Sequence, residues 1–154
     1  MNQKEIFKGK IFSVYQREMD VNGHMMLRDL VVHPGGAAIC VIVDHKMLFV
    51  RQTRAGIGNV STLEIPAGTI DPNEDPKVCA MRELNEETGM EADDLSLITA
   101  FWPTPGYDSE VIYVYSAIHP RQAKHRLAMD ETEDITLEWI DLNDAYQMVK
   151  AGRI

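Results

Sequence analysis

The sequence predicts a mixed α/β sandwich in which helices cover a curved sheet. Three observations predict it. Apolar, strand-like runs occur before and after one well-delimited helix, a second stretch of helical spacing lies near the end, and 154 residues, 45% of them apolar, suffice to bury one core. The expected organisation is a single domain over residues 1–154, with a β-ribbon over 1–34 and a core over 35–154, free of repeats, low-complexity segments and linkers.

The elements follow in order. Ile11 to Met19 and Met25 to His33 read as two strands of a hairpin, joined at Asn22-Gly23, a dipeptide that tolerates the positive φ angles of a tight turn. "AAICVIVD" and "MLFVRQTR" are two more apolar runs separated by a polar turn at Asp44 to Lys46, and "STLEIPAG" adds a shorter extended piece. A helix starts at Asp75-Pro76, where the carboxylate can cap free amides and proline suits the first helical position, and it stops at Gly89. "LSLITAFW" and "EVIYVYSAI" read as strands around the turn-rich "PTPGYDS". The acidic "MDETED" precedes a strand "ITLEWI" and a helical "LNDAYQMVKAG".

Composition excludes several roles. A formal charge of -9 without a Lys/Arg run argues against nucleic-acid binding, and no basic helix pair of a DNA reader is present. No segment reaches the roughly 18 apolar residues of a membrane span, and "MNQKEIFKGK" lacks a signal-peptide core, so a cytoplasmic protein is expected. Cys40 and Cys79 have no metal or redox spacing and read as packed, reduced thiols. His24, His33, His45, His119 and His125 likewise show no metal-ligand spacing.

The helix poses the sharpest question, because Glu83, Glu86 and Glu87 crowd like charges into two turns of an already acidic chain. At about 100° per residue they fall on one side, with Val78, Met81, Leu84 and Thr88 on the other, so one face should pack and the other concentrate charge. Pairs such as Glu83/Glu87 cost roughly 0.2–0.5 kcal/mol each in an isolated helix. Two readings offset that cost: a solvated acidic face in which Arg82 pairs with Glu86, or a divalent cation site that recruits an anionic substrate.

The context extends the motif. Gly68, Glu74, Arg82, Glu83, Glu86, Glu87 and Gly89 stand at the spacings of the Nudix box, which the stretch Gly68 to Met90 resembles in full. Seven identities match by chance with a probability on the order of 10⁻⁸ per starting position, which sets coincidence aside. The resemblance implies an α/β/α sandwich that hydrolyses a nucleoside diphosphate linked to another group. It implies Mg²⁺, with Mn²⁺ as an alternative, held by Glu83, Glu86, Glu87 and the backbone carbonyl of Ala67. Arg82 would orient the glutamates.

Outside the box, "RDLVVHPGGAAI", "VRQTR" with "LEIPAG", and "PTPGYDSE" resemble the ADP-ribose pyrophosphatase branch of the family. Pro105, sixteen residues after Gly89, matches that branch's recurrent proline. Arg54 and Glu64 match its substrate contacts, Arg54 toward phosphate and Glu64 toward the ribose side. Glu133 in "DETED" matches the glutamate that assists the attacking water, with Glu131 second. The resemblance therefore implies hydrolysis of a small-molecule nucleotide sugar, ADP-ribose foremost, to AMP and ribose 5-phosphate, by a homodimer whose N-terminal strands form the interface. Hydrolysis of a GDP- or UDP-sugar or of damaged nucleoside triphosphates, and a catalytically silent sensor, are the competing expectations. The chain stops at Arg153-Ile154, short of a segment found in many relatives, which implies a short member or a truncated sequence.

Overall fold

The structure, a computed structural model, describes residues 3–128 and 134–154. Strand β1 (Gln3–Lys8) pairs antiparallel with β2 (Ser13–Val21), which pairs with β3 (His24–Val32) across the two-residue turn Asn22-Gly23. Both turn residues have positive φ, 54° and 83°, as the dipeptide predicts. Strand β1 itself is not among the sequence-derived strands.

The next strands are β4 (Gly36–Cys40), β5 (Ile42–Val43), β6 (Lys46–Arg54), β7 (Val60–Glu64) and β8 (Ala67–Thr69). Asp44 and His45, at φ 48° and 62°, turn β5 into β6, and a single 3-10 turn, Ala55–Ile57, leads toward β7. Helix α1 (Pro76–Thr88) follows. Its start and stop are those the sequence predicts: the Asp75 carboxylate accepts from the Lys77 amide, and Gly89 takes the left-handed conformation at φ 67°.

Beyond α1 come β9 (Met90–Glu91), β10 (Asp94–Phe101), β11 (Ile112–Ile118), β12 (Arg121–Gln122), β13 (Thr136–Asp141) and α2 (Leu142–Lys150). One sheet has the order β10-β11-β4-β8, with β11 and β4 parallel; a second runs β13-β6-β5, with β7 also on β6. Alternation along β6 joins the layers. Leu48 belongs to the cluster under α1 with Ile39 and Leu84, whereas Phe49 belongs to the cluster under α2 with Leu63 and Ala145. The strands thus lie between two helices.

The helix face expected to pack is borne out in part: Leu84 and Thr88 are buried and Met81 packs against the core, but Val78 is 57% exposed, and Cys79, Ala80, Glu83 and Glu87 are buried as well. Two of the three glutamates point inward, toward β8, because the backbone there leaves room for them and supplies polar partners. The segment Tyr107–Ser109 docks on the end of β3: the Val31 amide donates to the Tyr107 carbonyl at 2.7 Å, and the Ser109 amide to the Val31 carbonyl at 3.0 Å.

Candidate active site

The site is built where α1 crosses β8. A Cβ on Gly68 would lie 1.9 Å from Glu83 Oε1, so glycine is the residue that lets the Glu83 carboxylate rest against the strand. Glu87, 2% exposed, accepts from the Ala67 amide at 3.0 Å. Burial of both carboxylates is tolerated because each has polar partners.

Arg82 organises the cluster. Its Nη1 donates to Glu83 at 2.7 Å and to Glu86 at 2.9 Å; its Nε and Nη2 make a fork to Glu74 at 3.0 and 2.9 Å. Glu74 also accepts from the Asp71 amide at 3.0 Å. The guanidinium fork is the main reason the Glu74 carboxyl is held down to about 2. Burial pushes the neighbouring Cys79 thiol up to about 12, in keeping with an inert packed cysteine. Cys40 and Cys79 are both free thiols.

Arg54 and Glu64, the expected substrate contacts, form a two-bond ion pair, with Arg54 Nε 2.9 Å from Glu64 Oε1. This pairing lowers the Glu64 carboxyl below its usual range. Arg54, Arg82 and Glu83 line one cleft of about 440 Å³, whose floor is the small residues Gly36, Ala37 and Gly68. Arg54 also borders a second cleft of about 650 Å³ with Gln52, Thr62 and Glu64.

The other expected residues are placed differently. Pro105 is exposed in the turn after Thr104, and the residues lining the first cleft from this part of the chain are Glu110 and Ile112 instead. Glu133 and Glu131 lie outside the described residues. Sequence reading assigned no role to Glu74, Asp71 or Glu110; the first is a motif position whose partner only the fold reveals, and the last two carry no periodic or spacing signal.

The donor chemistry fits a hard divalent cation: carboxylates of Glu83, Glu86 and Glu87 and the carbonyl of Ala67 are all oxygen ligands. In the present arrangement Arg82 neutralises two of them, and among the described residues no three His, Cys, Asp or Glu side chains converge as a ready cage.

Residues 33–153 match the NUDIX domain. The chain belongs to the Nudix family of hydrolases. This Nudix chain is 33% identical to an ADP-ribose pyrophosphatase of Bacillus subtilis, over 99% of its own length and 83% of the relative's. It is 34% identical to a methanol dehydrogenase activator of Bacillus methanolicus, over 98% and 82% of the two chains. Its fold superposes on the crystal structure of an ADP compounds hydrolase with a TM-score of 0.82, at 24% identity, covering 97% of this chain and 81% of the other. The α/β sandwich expected from sequence is therefore the Nudix fold.

Proposed function

We propose that this Nudix hydrolase cleaves the pyrophosphate bond of ADP-ribose, releasing AMP and ribose 5-phosphate. One observation carries the reading: the Nudix-box glutamate Glu83 and the outlying Arg54 line the same cleft, so a carboxylate suited to a cation and a guanidinium suited to phosphate would meet one substrate. The likeness to an ADP-ribose pyrophosphatase over almost the whole chain supports the nucleotide.

Glu83, Glu86, Glu87 and the Ala67 carbonyl would hold Mg²⁺, with Mn²⁺ able to replace it. When bound, the ion supplies neutralisation of phosphate charge and a more acidic water. The chain's own residues do the rest. Arg82 keeps Glu83 and Glu86 in place, Arg54 grips the pyrophosphate, and Glu64 holds Arg54 while facing the ribose side. Pro105 shapes the loop that leads into the cleft, and Glu133 takes the proton of the attacking water. The protein acts in the cytoplasm as a homodimer through the ribbon of residues 1–34; no described helix is long and apolar enough to cross a membrane.

The test is product analysis with Mg²⁺ and, separately, ADP-ribose, GDP-mannose, UDP-glucose, a dinucleoside polyphosphate and a nucleoside triphosphate. AMP and ribose 5-phosphate in clear preference are expected, with activity abolished by a chelator and restored by Mg²⁺. Glu87→Gln should raise the Mg²⁺ concentration needed, whereas Glu133→Gln should lower turnover at unchanged Mg²⁺ dependence. Preference for another nucleotide sugar would reject ADP-ribose while leaving the pyrophosphatase chemistry.

A further inference from the structure

Away from its cation face, α1 carries an asparagine that the chemistry above does not use. Asn85 stands inside the box at a position whose identity the motif leaves open, and it is turned about 160° around the helix from Glu83. Its carboxamide spends both ends on one neighbouring segment. Nδ2 donates to the His125 carbonyl at 3.0 Å, and Oδ1 accepts from the Leu127 amide at 2.7 Å. A side chain thus supplies the donor and acceptor that a partner strand would supply.

Apolar burial does not fix the path of that segment, because His125, Arg126 and Leu127 are all exposed, Leu127 at 47%. Upstream, β12 pairs with β9, and the Ala123 amide donates to the Gly89 carbonyl at 2.9 Å. Among the described residues, the bond from Leu127 to Asn85 is the last that the chain makes to α1 before the acidic segment. Glu133 itself lies outside the described residues. Beyond it the chain is described again at Asp134, on the wall of the second cleft with Arg54 and Glu64, and at Thr136, which pairs with Arg51. The stretch that carries the water-activating carboxylate therefore sets out from Asn85 and ends at the substrate cleft. A base works only within hydrogen-bond reach of the proton it takes, and a misplacement of ~1 Å can cost on the order of 100-fold in rate.

We propose that Asn85 is a positioning residue for the hydrolysis: by clamping residues 125–127 to α1 it fixes where the acidic segment sets out, and so sets the reach of Glu133 toward the attacking water. The inference rests on the reading above that gives Glu133 the proton. Asparagine suits the task because one planar amide offers both a donor and an acceptor. Aspartate would turn an acceptor on the His125 carbonyl, and alanine would offer neither.

The test is a double-mutant cycle in the Mg²⁺-dependent turnover of ADP-ribose, with Asn85→Ala, Glu133→Gln and the two combined. Alanine is the better helix former, so α1 should persist, which the unfolding midpoint checks. Asn85→Ala should lower kcat roughly 10-fold with KM and the Mg²⁺ activation midpoint unchanged, and should cost nothing further once Glu133 is replaced. Asn85→Gln, which keeps both amide functions on a longer stem, should recover part of the loss. Hydrogen exchange should show the Leu127 amide losing protection in Asn85→Ala. Normal kcat in that variant, an equal loss with and without Glu133, or a shifted Mg²⁺ midpoint would overturn the proposal; the last would place the effect on Glu86 and Glu87 instead. A wild type that hydrolyses no ADP-ribose would reject the enzymatic reading, and the Leu127 exchange, which needs no turnover, would then decide the clamp by itself.

Discussion

Glu74 shows how one residue can couple fold and site. Its carboxyl is depressed to about 2 chiefly by the Arg82 fork, so the ionised form is stabilised in the folded protein. A depressed folded value contributes stability above the unfolded value of 4.5 and loses it as pH falls from there through about 2. Glu74→Gln should therefore lower stability at neutral pH by about 1–3 kcal/mol, and its pH–stability curve should meet the wild type's near pH 2 in denaturant titrations. Gly68 makes the complementary case. Gly68→Ala would drive a methyl group into the Glu83 carboxylate, so Mg²⁺ affinity, read by activation curves, should fall on the order of 10- to 100-fold. A variant with normal Mg²⁺ activation would show that Glu83 rotates away freely and is not positioned by that contact.

At the scale of elements, helix α1 was legible at both ends and only partly across its width: Met81, Leu84 and Thr88 face the core as expected, but Val78 does not, and Glu83 and Glu87 turn inward. Asp75, Pro76 and Gly89 signal the boundaries through capping chemistry, which depends only on neighbours in sequence. Which face packs depends on β8, and a helical wheel assigns glutamates to solvent because it does not know that Gly68 offers a recess or that Arg82 and the Ala67 amide offer partners. Short strands β1, β9 and β12 escaped for a related reason: two to six residues carry too little periodicity, and β9 and β12 pair with each other some thirty residues apart in sequence. Of the site, the box residues and Arg54 could be read from motifs, whereas Glu110 is brought in by a parallel pairing of β11 with β4 that spacing along the chain does not encode. The C-terminal cap of α1 gives the prediction that belongs here. At φ 67° a Cβ is strained, so Gly89→Ala should cost about 1–2 kcal/mol in thermal or chemical unfolding, and an unchanged midpoint would mean the cap relaxes.

At the scale of the molecule, the N-terminal sheet is the part whose own fold leaves it unfinished. Met25 and Leu27 share one face of β3 and are 66% and 60% exposed, while Met26, on the opposite face, is 39% exposed. In the homodimer proposed above, this exposed apolar pair would be covered by the same face of a second copy, as a two-fold interface requires. Charge works against such pairing, because each copy carries -9. Salt should therefore help: with a Debye length of about 10 Å at 0.1 M and about 3 Å at 1 M, repulsion between copies is screened while apolar burial is not weakened. Sedimentation should show a dimer whose dissociation constant falls as NaCl is raised, and Leu27→Glu should sediment as a monomer with an intact core, since Leu27 makes no part of either core cluster. Dimers that dissociate with salt would point to ionic pairing across the interface, and a wild type that stays monomeric at micromolar concentration would remove the ribbon from the assembly altogether.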